Sequence, residues 1–386
     1  MTPARGLGPL LTVFTTLLSS GATGFCQFTL VSVGHINNGG VASGLAVSGN
    51  HVYLANQSDG FRIYDVSDPA NPVNIAHTNN PGPAEDVVVS GNYAYLANAN
   101  DGLRIYDISN PTNPISVGQV YHSAPAWALV LTNNYAYVAA GSAVQVFGVS
   151  NPAAPYFSAA SASLSSVYGV DVSGNYAYFA EGMNGLYIYA VGDLVRPLGH
   201  IVNGASAYST WVKVSGNFAY LANGDDGLRV YNVTNALAPV NVGHANTGGF
   251  AEAVTLADNY AFVAHSGGIR VYDVTDPSRP IPVGAAITTA AAYNLEVLGD
   301  YIYVANDTDG LRIFRILPQL QAAPGTASTV TLTWPVTAAP FVLEQSSNLT
   351  SASWTVLTNT ATLQGQLNQV VLDRTSGNEF YRLRPN

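Results

Sequence analysis

The chain has 386 residues, and only 9% of them are Asp, Glu, Lys or Arg. Gly, Ala, Val, Asn, Ser, Thr and Tyr are abundant, as expected for many short strands joined by tight turns. The net charge is -10 and the 13 basic residues are scattered singly, so no electropositive stripe exists to neutralise a phosphate backbone, and nucleic-acid binding is not expected. A single cysteine, Cys26, rules out an internal disulfide and a thiolate metal cluster.

Arg5 precedes an apolar run from Leu7 to Leu18 and then small residues from Ser19 to Gly24, the three-part layout of a secretory signal over 1–26. Cleavage is expected between Gly24 and Gln27. Phe25 before Cys26 fits lipid attachment poorly, since a small residue is wanted there. No later apolar run is long enough for a transmembrane helix. The expected destination is the periplasm, the cell surface or the medium.

From residue 27 to 318 one block recurs seven times. An apolar stretch leads to Gly-Asn, then to Tyr-Ala-Tyr-Leu-Ala-Asn, Asp-Gly-Leu-Arg-Ile-Tyr-Asp and a proline turn. The residue anchoring the first turn is Asn50, Asn92, Asn134, Asn175, Asn217, Asn259 and Asp300, giving spacings of 42, 42, 41, 42, 42 and 41. Each unit predicts four strands, in the second repeat Glu85 to Val89, Tyr93 to Ala97, Leu103 to Asp107 and Ile115 to Gln119. Ser90-Gly91-Asn92 and Asn100-Asp101-Gly102 supply residues that tolerate positive φ, and Pro111 and Pro114 end the third strand. Four antiparallel strands in about 42 residues predict one blade of a β-propeller. Apolar residues on both faces require neighbouring blades to cover each other.

The seventh repeat stops at Leu317 without a fourth strand, while Phe28 to His35 matches the fourth strand Val240-Asn241-Val242-Gly243-His244. The expectation is an all-β, seven-bladed propeller closed by the N-terminal strand, with no open edge between first and last blades.

Gly102-Leu103-Arg104-Ile105-Tyr106-Asp107-Ile108-Ser109-Asn110-Pro111 and its copies resemble the LVIVD repeat family of bacterial propellers. The third and fourth repeats depart from the pattern, with Gln145 and Tyr187 in place of Arg and Gly148 and Ala190 in place of Asp. The resemblance implies a surface or secreted propeller and carries no reaction with it.

Residues 319–326 read as a linker. Strand-like segments follow at Val330 to Trp334, Phe341 to Glu344, Trp354 to Leu357, Gln369 to Leu372 and Phe380 to Leu383. They predict a small β-sandwich-like module over 327–386, similar to the fibronectin-type or immunoglobulin-like modules that end exported bacterial proteins.

The recurring Arg62, Arg104, Arg229, Arg270 and Arg312 are expected to be structural, pairing with turn or strand carboxylates such as Asp65, Asp107 and Asp273. The Asn-x-x-Asp-Gly segments lack the ligand ladder and distal Glu of a calcium loop and read as hairpin turns. His35, His77, His200 and His244 are equivalent positions of separate blades, too far apart to share an ion. No metal, cofactor or catalytic residue is assigned, and a monomer is expected.

Positions five and three before the anchor are always Leu or Val, as packing requires. Seven before it they diverge into Ser43, Glu85, Trp127, Tyr168, Thr210, Glu252 and Tyr293, and six before it into Gly44, Asp86, Ala128, Gly169, Trp211, Ala253 and Asn294. Divergence into aromatic and hydrogen-bonding groups at the channel mouth points to a pocket. Trp127, Tyr168, Trp211 and Tyr293 would stack on a ligand, and Glu85, Asp86, Glu252 and Asn294 would orient it. The expected function is a binding scaffold for a glycan, peptide or protein partner. Two alternatives stay open, a plug filling the channel mouth, and a hydrolase or lyase using Glu85, Asp86 and Glu252.

Overall fold

The computed structural model describes residues 27–37, 39–121, 124–162, 164–202, 207–324, 329–336, 340–347, 354–364, 367–373 and 379–385. The signal-like segment and Cys26 lie outside these residues. All regular elements among them are β-strands. One compact unit spans Leu30–Arg315, and a second groups Ile316–Asn386 with the chain before Leu30.

The first unit holds seven four-stranded antiparallel sheets, one per repeat. Blade two consists of Asp86–Ser90, Tyr93–Ala97, Leu103–Asp107 and Ile115–Val120, each within a residue of its predicted bounds. Its register runs Val88 to Tyr95 to Ile105 to Gly118 across the four strands.

The turns explain the punctuation of the repeat. In Asn98-Ala99-Asn100-Asp101-Gly102 the Asn98 N–H donates to Gly102 O and the Asp101 N–H to Asn98 O. Gly102 sits at φ 86°, and a Cβ there would stand 2.2 Å from Val120 O, so the position needs glycine twice over.

Neighbouring sheets pack face to face. Tyr53, Phe61 and Ile63 of blade one share a core with Ala94, Leu96 and Tyr106 of blade two, and similar clusters recur round the repeats. Tyr64, Tyr189, Tyr231 and Tyr272, one per blade on the third strand, are among the largest fully buried side chains. Burying a large apolar side chain stabilises the fold by roughly 1.5–3 kcal/mol. A fourth-strand glycine lets the next blade approach: a Cβ on Gly118, Gly199 or Gly243 would stand 2.0–2.1 Å from a carbonyl of the following blade's proline turn.

The N-terminal strand Phe28–Ile36 lies in the seventh sheet beside Leu311–Pro318, ahead of Tyr301–Ala305 and Asn294–Leu298. A Cβ on its Gly34 would likewise stand 2.0 Å from Pro69 O of blade one. Ala42 bridges to Asp307, and Leu45, Leu54 and Tyr64 of blade one share a core with Tyr303, Leu311 and Ile313 of blade seven.

Four of the five recurring arginines pair with turn carboxylates, and not with Asp65 or Asp107 on the strands. Arg62, Arg104, Arg229 and Arg312 bind Asp59, Asp101, Asp226 and Asp309, each three residues earlier in the turn. Residues three apart within a strand face opposite ways, whereas the turn folds its Asp back over the Arg. Asp65, Asp107 and Asp273 instead accept the N–H of Ser67, Ser109 and Thr275. The turn Asn donates to the same Asp in all four blades. Burial pushes the Asp59, Asp226 and Asp309 carboxyls up, but hydrogen bonds from Arg and Asn outweigh it and hold them below the usual range. His35, His77, His200 and His244 each meet a turn carbonyl through Nε2 at 2.6–2.8 Å, which accounts for their recurrence.

The second unit contains two sheets. One orders Gln321–Pro324, Thr329–Pro335, Leu367–Asp373 and Thr362–Gln364, and the other Thr355–Val356, Phe341–Ser346 and Phe380–Pro385. Leu332, Trp334, Val370 and Leu372 of the first share a small core with Leu343 of the second. Gln321–Pro324, read from sequence as linker, pairs with Val330–Thr333 as a strand, because its backbone completes that sheet's edge.

Removal of Phe28–His35 should lower the thermal midpoint sharply by uncovering the seventh sheet. A deletion variant melting with the parent chain would contradict the pairing.

Candidate functional site

The innermost strands are Gly44–Ser48, Asp86–Ser90, Ala126–Thr132, Gly169–Ser173, Trp211–Ser215, Ala251–Ala257 and Asn294–Leu298. Residues five and three before the anchor enter the cores between blades. The inner strands border a cavity of about 250 Å³, lined in every blade by the residue five before the anchor and in several blades by those six, four and three before it. Asp86, Trp211 and Asn294 line it, three of the eight residues expected at a pocket. Lys213, Thr255 and Glu296 line it with them.

These last three belong to a register that sequence reasoning passed over. Four residues before the anchor stand Ala46, Val88, Val130, Asp171, Lys213, Thr255 and Glu296. Their divergence was visible beside the uniform Leu and Val on either side. Lys213 is, moreover, the only lysine in the chain.

Two carboxylates of this group fasten blades together. Asp86 Oδ2 accepts the Leu129 N–H of blade three at 3.1 Å, and Asp171 Oδ2 accepts the Val214 N–H of blade five at 2.7 Å. Both partners lie 43 residues on, at the inner edge of the next sheet, where an N–H has no ladder partner. Burial pushes the Asp86 carboxyl up to about 7 against the hydrogen bonds from Leu129 and Val87; the Glu296 charge adds to the rise and the Lys213 charge opposes it. Burial likewise raises Asp171 and Glu296, with Lys213 pulling both back down. Asn294 turns its Oδ1 to the Leu295 N–H at 2.7 Å. Among the described residues Lys213 makes no ion pair, although its charge acts on the Asp86, Asp171 and Glu296 carboxyls.

The other five expected residues, all seven before the anchor, lie off the cavity. Trp127 is the extra residue of a bulge between Ala126 and Ala128 and is 38% exposed. Glu252 is the matching bulge residue between Ala251 and Ala253. Burial raises the Glu252 carboxyl to about 7, and Glu85 also to about 7 against a hydrogen bond from Gln57. Burial raises the Tyr293 phenol, and the charges of Asp307 and Glu252 add to it. Tyr168 accepts a hydrogen bond from the Tyr208 hydroxyl, with ring centroids 5.2 Å apart, and Tyr208 meets Phe250 in turn. At the same register Ser43 and Thr210 donate to Ala84 O and Ala251 O of the next blade, both at 3.0 Å.

A second cavity of about 330 Å³ lies between blades three and four, lined by Tyr135, Tyr137, Val146, Val172 and Leu194 among others, with no charged side chain. Its hydrogen-bonding groups are the neutral side chains of Thr132, Asn133, Ser158 and the two tyrosines.

A carboxyl whose pKa is higher in the fold than in the unfolded chain favours folding while protonated, and that contribution is lost as pH rises between the two values. For Glu252 the window runs from roughly 4 to about 7. Glu252→Gln should therefore melt higher than the parent chain at pH 8, with the gap closing towards pH 4. A variant tracking the parent at both pH values in a thermal-shift series would contradict this burial.

The LVIVD repeat model matches residues 39–79, 81–121, 125–160, 166–192, 207–247, 248–288 and 290–316. No curated protein matches the chain. Among solved structures, the computationally designed Ika8 protein is similar with a TM-score of 0.56 at 11% identity, covering 74% of this chain and 99% of that one. A chain of the mitotic checkpoint complex reaches a TM-score of 0.63 at 13% identity, covering 81% of this chain and 98% of its own. Identities this low speak for the propeller fold alone. The seven matched segments span well over half of the sequence, and the chain belongs to the LVIVD repeat family.

Proposed function

We propose that this propeller is an exported binding scaffold whose central cavity takes a small polar ligand, a sugar ring or a short peptide segment. The observation that carries the reading is Lys213, the sole lysine, lining a cavity with Asp86 and Glu296 and making no ion pair among the described residues. A part-buried ammonium gains when a ligand oxygen replaces the water it has lost. Trp211 adds an aromatic face for the CH side of a sugar or an apolar side chain. Glu296 and Asn294 add groups able to orient hydroxyls or amides. A volume of about 250 Å³ lies just below the usual range for drug-sized ligands, which favours one ring or one or two side chains. Export is supported by Arg5 and the apolar run Leu7 to Leu18, and the C-terminal strands would then space or attach the scaffold.

The test is a panel of monosaccharides and short peptides screened by calorimetry. For the ligand that binds, Trp211→Ala and Lys213→Met should each weaken affinity by about tenfold or more, since a hydrogen bond to a charged group contributes about 1.5–3 kcal/mol. Trp127→Ala should leave it unchanged. Loss of binding on Trp127→Ala, with Lys213→Met silent, would move the site to the outer rim and overturn the cavity reading.

A further inference from the structure

Blade six keeps the repeat's third-strand arginine and has lost the carboxylate that holds it. Four other blades surround that arginine alike: an Asp three residues before it accepts its guanidinium, a turn Asn braces the Asp, and a fourth-strand His or Gln closes the outer side. In blade six the turn is one residue shorter and reads His265-Ser266-Gly267-Gly268, so Gly267 occupies the place of the Asp. His265 replaces the Asn. The fourth-strand residue paired with Arg270 is Ala285, which is exposed, where Arg62 and Arg229 pair with His77 and His244.

Arg270 is left with a guanidinium lacking its anion. Its Nε is buried and has no hydrogen-bond partner among the described residues. His265 beneath it offers no negative charge. Its Nδ1 accepts the Gly267 N–H at 3.1 Å, and burial, followed by the Arg270 charge, keeps its pKa low and the ring neutral. Gly248, at φ 80°, brings its backbone against the guanidinium: a Cβ there would stand 3.2 Å from Nη2. Ala285 and Gly267 carry neither the His nor the Asp that flank the guanidinium in the other blades.

We propose that Arg270 forms a binding site for a small organic carboxylate, which takes the place of the Asp side chain that the other four blades supply internally. The planar guanidinium fork matches a carboxylate through two parallel hydrogen bonds, and a charge-assisted pair is about twice as strong as a neutral one. The site lies on the third strand of blade six, apart from the central cavity, and does not depend on what the cavity binds.

The experiment follows the arginine Nε–H resonances of the full chain by NMR during titration with acetate, with chloride at equal ionic strength as reference. One resonance, missing from Arg270→Gln, should move with acetate and not with chloride, and Lys213→Met should leave it unaffected. Gly267→Asp restores a carboxylate three residues before the arginine, and the space for its Cβ is limited only by the His265 ring at 3.2 Å. In that variant the resonance should begin near its acetate-bound position and respond to acetate about tenfold less or not at all. A resonance that ignores acetate, that follows chloride equally, or that still titrates fully in Gly267→Asp would overturn the site.

Discussion

Every blade of this protein must be covered on both faces, and the only cover available is the next blade. A four-stranded sheet carrying Leu, Val, Tyr and Phe on both sides cannot hide them alone, so the second strands, buried at nearly every position, and the mostly buried third strands are fixed by their neighbours. The constraint explains why Leu45, Val87, Leu129, Val170, Val212, Val254 and Leu295 never leave the aliphatic class. It also explains why a glycine such as Gly118 stands where the next proline turn presses against the outer strand. Freedom remains at the inner edge, facing the cavity, and at the turns.

Both free regions carry charge, in different ways. At the turns, Asp, Arg and Asn, with a fourth-strand His or Gln, form a repeated local network in blades one, two, five and seven. At the inner edge the charged groups occur once each: Asp86, Asp171, Lys213 and Glu296 belong to four different blades, and no local motif joins them. Asp86 and Asp171 have dual use, since each also holds an edge N–H of the adjacent blade. The cavity wall is therefore as rigid as the packing behind it, which suits a site built to orient a ligand.

The fold was legible because its signals are local and repeated. Gly-Asn and Asp-Gly turns, proline stops and a constant register mark blade two to within a residue, and the unmatched Phe28 to His35 pointed to the seventh sheet where that strand lies. The site was legible only in part. Divergence singled out Asp86, Trp211 and Asn294, which line the cavity, together with Trp127, Tyr168, Glu85, Glu252 and Tyr293, which do not, Trp127 and Glu252 being bulge residues at the strand entry. The same divergence four residues before the anchor marks Lys213 and Glu296, which line the cavity too. Of the turn or strand carboxylates open to the arginines, shared absence from the third and fourth repeats suggested Asp65 and Asp107, while the chain reversal in the turn brings Asp59 and Asp101 into contact. Gln321–Pro324 was missed because a strand of Gln, Ala and Pro carries no apolar alternation.

The central claim is that the lone lysine shares a cavity at the inner strands with the buried Asp86 and with Glu296. Reductive methylation with carbon-13 formaldehyde labels that amine alone besides the chain's amino terminus, and its dimethyl resonance can be followed from pH 5 to pH 8. The account predicts a resonance that shifts near neutral pH as Asp86 loses its proton, with the shift reduced in Asp86→Asn. A Lys213 resonance that stays constant across that range would contradict it.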